Sequence, residues 1–319
     1  MVTNSRPYSA VKRRIINLSQ LFTYGSGAQW LCRYIFITPE RAVRASAPWA
    51  IEQDNGMKHQ TSALLSCMER FLVLEADEKR LLGKMETGQR WVPRQTLLWE
   101  AGSEVERLFI LQEGWACTYR DDVDGNRQIM DVLLPGDIVG LQDFTFPRHF
   151  AAAAMLTDGE VSCISSQDIG HLIHVSPRLT IALFAAMARQ ETLVTERLAM
   201  GVHRDARSRL AHFVVEIHTR LNKLAQTPLA SFEFPLSQSM LGQLLGLTHV
   251  HVNRVLAQLE ADKVLKKHRH HIEVFDARKL REIAEFDDAY LDDSLDGLGD
   301  YLVNREKARL WEEKTSSVR

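Results

Sequence analysis

Between residues 234 and 260 the apolar residues fall into two short helical stripes separated by one glycine, a pattern that leaves this stretch few ways to fold. Leu241, Leu244 and Leu245 give the first stripe one apolar side. Gly246 stands where the chain must reverse, and glycine takes left-handed backbone at little cost. Thr248 is placed to cap a second helix. In that helix Val252, Val255, Leu256 and Leu259 recur at i, i+3, i+4 and i+7, which is one buried stripe. At roughly 100° per residue, Val250, Arg254 and Ala257 then point away from the core, flanked by His251 and Asn253. Two helices so joined have the geometry that lays the second in a DNA major groove. The candidate contacts here are Ser237, Gln238, Thr248, His249, Val250, His251, Asn253 and Arg254.

From Val264 to Phe275 the pattern predicts two strands around a basic tip, a wing beside the second helix. Lys266, Lys267 and Arg269 join the candidates as phosphate contacts, with a solvated hairpin as the alternative. Histidines 268, 270 and 271 share that tip, but the neighbouring cations would repel a metal ion, and no metal is expected. The overall net charge of -2 does not mark a nucleic-acid binder. Its distribution does more, since residues 249–281 carry eight Lys or Arg against four Asp or Glu, and residues 282–319 five against eleven.

Upstream, short runs rich in β-branched and aromatic residues alternate with glycine turns from Gln89 to about Ser166, implying a small sandwich or barrel. Residues 107–120 read as two strands about a turn, and Asp124 with Gly125 as a hairpin turn before a strand over 128–134. After Pro177 the period changes to a long helix. Leu183, Met187, Gln190, Val194 and Leu198 approximate a coiled-coil seam, and a dimer helix is expected there, with packing against the β-domain as the alternative. A further helix is expected from Ala206 to Lys223.

Residues 1–56 carry seven basic and three acidic residues without a sustained period. They are expected to be a disordered extension, or upstream sequence with Met57 as the natural start; a basic arm on DNA is the alternative. Cys32, Cys67, Cys117 and Cys163 form no close pair and no C-x-x-C, so free thiols in a reduced cytoplasm are expected. No apolar run is long enough for a membrane span. A composition of 45% hydrophobic and 25% charged residues fits a globular chain of one to three domains.

The chain resembles the Crp/Fnr family of bacterial transcription regulators, the cyclic-AMP receptor protein and the fumarate–nitrate regulator, over roughly Met68 to Ala284. The marks are Leu133-Leu-Pro-Gly-Asp-Ile-Val-Gly140, Asp205-Ala-Arg-Ser-Arg-Leu-Ala-His-Phe213 and Leu244-Leu-Gly-Leu-Thr-His-Val-His-Val-Asn-Arg-Val-Leu256. The resemblance implies an α+β architecture: an N-terminal double-stranded β-roll (a cupin-like jelly roll), a long dimerisation helix and a C-terminal winged helix-turn-helix. On that plan 1–66 is an N-terminal extension, 67–176 the sensor roll, 177–204 the dimer helix, 205–284 the DNA-binding domain and 285–319 an acidic tail. It also implies a homodimer on a pseudo-palindromic DNA site, contact with RNA polymerase, and a small-molecule effector of unknown identity.

The departures from the family are as informative. Cyclic-nucleotide binders carry Gly-Glu at the start of the phosphate cassette and an arginine a dozen or so residues later. This chain has Gly140 and Leu141, then Arg148 and His149, so the candidate effector pocket lacks the ribose-binding acceptor. No cofactor is expected, and the cysteine cluster of the iron–sulfur branch is missing. In the recognition helix Val250 replaces the usual Glu and Asn253 the usual Ser or Gly, while Arg254 is retained, so the half-site should differ from those of the founding members. An enzyme on a cupin-like barrel would need converging His and carboxylate ligands, and the β region offers only His149 in its strands. The remaining alternatives are a regulator acting through protein contacts with a degenerate sensor, and a cyclic-nucleotide-responsive one.

Overall fold

The computed structural model describes residues 62–225, 227–293 and 295. The expectations for residues 1–61, including Cys32 and Met57, and for all but the first part of the acidic tail lie outside the described residues. Two short helices, α1 (Ala63–Glu69) and α2 (Ala76–Met85), come first. The Ser62 hydroxyl caps α1 by accepting from the Leu65 amide at 3.0 Å. Eight strands follow: β1 (Thr87–Val92), β2 (Leu97–Trp99), β3 (Arg107–Leu111), β4 (Ala116–Asp121), β5 (Arg127–Leu133), β6 (Ile138–Val139), β7 (Ala152–Met155) and β8 (Gly159–Ser165). They form two antiparallel sheets, ordered β1-β8-β3-β6 and β2-β7-β4-β5. The expected strand pair over 107–120 is β3 and β4, one in each sheet.

Alternation along the strands makes three apolar layers from two sheets. In β3, Leu108 and Ile110 pack outward under a helical layer with Leu64, Met68, Leu172, Leu179 and Leu183. Phe109 and Leu111 alternate with them and are buried on the other side, as are Trp99, Leu133 and Met155 in the roll. The second sheet turns Cys117, Tyr119 and Ile129 outward into a third cluster shared with the C-terminal domain.

The helical layer contains α3 (Ser166–Val175) and the 27-residue α4 (Pro177–His203). Pro177 sits in the first turn of α4, where its missing N–H costs nothing. The C-terminal domain then comprises α5 (Ala206–Leu224), β9 (Ser231–Glu233), α6 (Gln238–Leu245), α7 (His249–Ala261), β10 (Leu265–Lys267), β11 (His271–Val274) and α8 (Ala277–Ala284). The wing is a three-stranded sheet, β10-β11-β9, with Phe232 opposite Ile272. Sequence reading expects only β10 and β11, because three residues of β9 are too few to display a period.

The C-terminal domain is docked on the roll. Trp115 meets Phe234 edge to face at 6.0 Å, and both belong to the cluster that contains Phe213, Leu241 and Val255. The side-chain amide of Gln128 on β5 donates to the Gln243 carbonyl of α6.

Candidate nucleic-acid interface and sensor cassette

The helix pair assembles as its pattern predicts. Ser237 caps α6 by accepting from the Met240 amide at 3.2 Å, and Thr248 caps α7 by accepting from the His251 amide at 3.2 Å. Gly246 ends α6 at φ 64°, the left-handed conformation the reversal requires. Val252, Val255, Leu256 and Leu259 are buried. The opposite face of α7 is open: His249, Val250, His251, Asn253 and Arg254 are exposed, Val250 to 62%. Ala257 and Gln258 continue that face one turn on. Gln258 was absent from the sequence-derived candidates, although its i+4 spacing from Arg254 marks it. Gln238, at the start of α6, reaches Asn253 at 3.5 Å and bridges the two helices on the open side.

The three wing cations behave differently from one another. Arg269 is exposed at the tip. Lys266 is ion-paired with Glu260 of α7 at 2.6 Å. Lys267 lies over the Phe234 ring at 5.6 Å and donates to the His268 carbonyl at 3.1 Å; partial burial lowers its pKa. It braces the tip rather than projecting from it. His268 and His271 stack at 4.4 Å, and His270 has its pKa lowered by desolvation and then by the charges of Arg269, Arg94 and Lys267. Arg94, from the roll, thus contributes to one positive field with the wing, a contribution no local sequence signal could reveal.

The sensor cassette is filled from within. Gly140 has φ 91°, and a Cβ there would meet the Trp99 ring at 2.9 Å. Trp99 stacks on Phe109 at 5.8 Å and on His149 at 4.2 Å, and its indole N–H donates to the Ala151 carbonyl at 2.8 Å. His149 is buried with Nδ1 at 3.0 Å from the Asp143 carboxylate, and Leu141 is buried. Arg148 turns away to the surface, donating to the Gly102 carbonyl at 2.8 Å and facing Glu104 at 3.7 Å. Of the four sequence candidates, Gly140 and His149 thus meet at Trp99, Leu141 is buried, and Arg148 is directed to the surface.

The structure divides the five residues of the expected seam on α4 between two environments. Leu183 and Met187 pack into the cluster over the roll, and Gln190 donates its side-chain amide to the Ile138 carbonyl at 2.8 Å. These three face their own β-domain. Val194 and Leu198 are exposed, and they continue a stripe with Phe184 and Val202, the last two residues of the stripe being 68% and 69% exposed.

Comparison with known proteins places these features. Residues 89–175 match the cyclic nucleotide-binding domain family and residues 208–283 the Crp-like helix-turn-helix domain family. The transcriptional regulatory protein btr of Bordetella pertussis is 24% identical over 225 residues, covering 70% of this chain and 93% of its own. The fumarate and nitrate reduction regulatory protein of Vibrio cholerae is 25% identical over 59% of this chain and 74% of its own. The cAMP-activated global transcriptional regulator CRP of Escherichia coli is 26% identical over 58% and 89%. In fold, FixK2 from Bradyrhizobium japonicum superposes with a TM-score of 0.56 at 22% identity, over 61% of this chain and 96% of its own. A mutant CooA from Carboxydothermus hydrogenoformans does so with 0.53 at 18% identity, over 70% and 97%. The relatives are transcription regulators rather than enzymes, and with a roll of the cyclic nucleotide-binding type leading into a Crp-like helix-turn-helix, this chain belongs to the Crp/Fnr family of DNA-binding transcription regulators.

Proposed function

We propose that the protein reads a pseudo-palindromic DNA site as a homodimer, with one α7 in each of two successive major grooves. The observation that carries this reading is the open face of α7, whose backing stripe is buried while Val250, Asn253 and Arg254 stay uncovered. Val250 suits a thymine methyl, and the Arg254 guanidinium suits guanine O6 and N7. Ser237, Gln238, Thr248, His249 and His251 rim that face, with Arg269 on its flank as the phosphate contact; Lys266 and Lys267 act mainly through the field they add. The exposed stripe of Phe184, Val194, Leu198 and Val202 on α4 is the surface for the second copy. Contact with RNA polymerase follows from the family likeness alone. Unpaired Cys67, Cys117 and Cys163 suit a cytoplasmic setting.

The roll acts in this reading as a module that does not take a cyclic nucleotide. Trp99 and His149 occupy the cassette, and Leu141 has no acceptor for a ribose hydroxyl. Selection of bound sites from a random DNA pool tests the proposal. Two half-sites centred about 34–36 Å apart are expected. Retention of no duplex above background at low salt would refute it.

A further inference from the structure

A cleft of about 260 Å³ opens between the roll and the end of α5, and its lining carries three cations, Arg70, Arg220 and Lys223, against two carboxylates, Asp137 and Asp293. Arg70 follows the last turn of α1, and Arg220 and Lys223 belong to the last turns of α5; behind the lining, Arg189 lies midway along α4 and is joined to the cleft through Asp293. The carboxylates around these four cations are Asp137, Asp293 and Glu216, the last shared between Arg220 and Arg197. Asp137, buried in the turn before β6, pairs with Arg220 and stands 3.9 Å from Arg70. Asp293, from the segment after α8, pairs with Arg189, lies 3.4 Å from the Lys223 ammonium and 3.8 Å from Arg70 Nε.

Arg189 is the group that the chain leaves unfinished. It is 7% exposed, and only Nη1 is engaged, by Asp293 and by the Leu291 carbonyl at 3.1 Å. Its Nε and Nη2 are buried without a hydrogen-bond partner among the described residues. Burial, and then repulsion from Arg70 and Arg220, lowers its pKa to about 10. Buried donors left unpaired cost free energy, and a guanidinium fork matches the oxygens of a phosphate as well as those of a carboxylate.

We propose that this junction cleft is a binding site for a compact dianion, phosphate or a phosphomonoester, and that Asp293 is the chain's own occupant, displaced when the ligand enters. One carboxylate brings a single charge and two acceptor oxygens. A phosphate brings up to two charges and more acceptors, enough to engage Arg70, Arg189 and Lys223 together. The cleft is smaller than the roughly 300–1,000 Å³ of sites for drug-sized molecules, which favours a small ligand. Entry would release Leu291 and Asp293 from α4 and α5, so occupancy would bias how the C-terminal domain sits on the roll. The binding claim is independent of the DNA reading above.

The test uses the full chain, inorganic phosphate and, in a separate arm, glycerol 3-phosphate, with potassium chloride balancing ionic strength. Calorimetric titration should show saturable binding, one site per chain, and thermal melting a rise in Tm that chloride does not reproduce. A preference for one arm tells a free ion from an ester. Asp293→Asn, which removes the competitor, should tighten binding about fivefold. Lys223→Ala, at a half-exposed position that leaves folding intact, should weaken it about tenfold. A Tm response equal to that of chloride, or an Asp293→Asn protein with unchanged phosphate affinity, would overturn the proposal.

Discussion

Arg197 of the long helix and Glu216 of α5 meet as a buried fork, Nε to Oε2 at 3.1 Å and Nη2 to Oε1 at 2.6 Å. Arg197 also pairs with Asp131 on β5, and Glu216 with Arg220, which in turn holds Asp137. The chain of charges runs from roll to long helix to DNA-binding domain and back to the roll. Burial alone would depress the Arg197 pKa, but Glu216 and Asp131 outweigh it and raise it. The network therefore acts as a fixed joint between sensor and reader, satisfied only in a geometry close to this one.

Removing one member strands a buried charge. Glu216→Ala should destabilise the protein by about 3–5 kcal/mol, because Arg197 and Arg220 lose their shared acceptor. Urea unfolding measures this. A cost below 1 kcal/mol, the range of exposed pairs, would show that water reaches the joint.

Acid should loosen the same joint. Burial would lift the pKa of Glu216 and of Asp137, yet Arg197 holds the first below its ordinary 4.5, and Arg220 with Arg70 hold the second below 3.8. A carboxylate whose pKa is lower folded than unfolded contributes stability that is complete above the unfolded value and lost as pH falls through the folded one. The Glu216 contribution is thus constant above pH 4.5 and declines below it. The stability gap between wild type and Glu216→Gln should narrow in that range. A gap that stays constant down to about pH 2 contradicts the assignment.

The parts of the fold that could be read in the sequence are those set by local period. The stripe of Val252, Val255, Leu256 and Leu259, the reversal at Gly246 and the cap at Thr248 all depend on neighbours within one or two turns. On α4 the local period does not suffice, because that helix has two apolar stripes, one over Leu179, Leu183 and Ala186 and another through Phe184, Leu198 and Val202. Periodicity cannot tell which stripe the chain covers itself. The filling of the cassette by Trp99, the joint between Arg197 and Glu216, and the placing of Arg94 near the wing are long-range matters. They follow from sheet register and docking, which no short window contains.

The cassette makes a sharp prediction about nucleotides. Calorimetric titration with cyclic AMP should be silent for wild type and for Leu141→Glu alike, since Trp99 would still cover Gly140 and the new carboxylate would be buried. Trp99→Ala removes that cover at a stability cost of about 3–5 kcal/mol. Cyclic-AMP binding by wild type would show that the Trp99–His149 stack opens.

The two stripes of α4 should separate by their effects. Leu198→Glu places a charge in the proposed seam and should convert dimer to monomer in sedimentation, with little change in monomer fold. Leu183→Ala should leave the oligomeric state alone and cost about 2–5 kcal/mol, because it empties space against the roll. The reverse pattern would restore the seam of Leu183, Met187 and Gln190 that sequence periodicity suggested.

Arg254 and Arg269 should divide specificity from grip. Both are exposed, but Arg254 stands on the open face of α7 and Arg269 at the wing tip. Arg254→Ala should cost about 1–3 kcal/mol on the selected site and relax preference at one base pair per half-site. Arg269→Ala should weaken selected and scrambled duplexes alike and reduce the salt slope by about one for each subunit. Lys267→Ala provides the contrast, because its ammonium is spent on the tip's own carbonyls and on Phe234. That variant should loosen the wing and lower Tm, with a salt slope closer to wild type than that of Arg269→Ala. Equal slopes for all three proteins would remove the wing from the phosphate backbone and leave α7 to hold the duplex by its base contacts and caps.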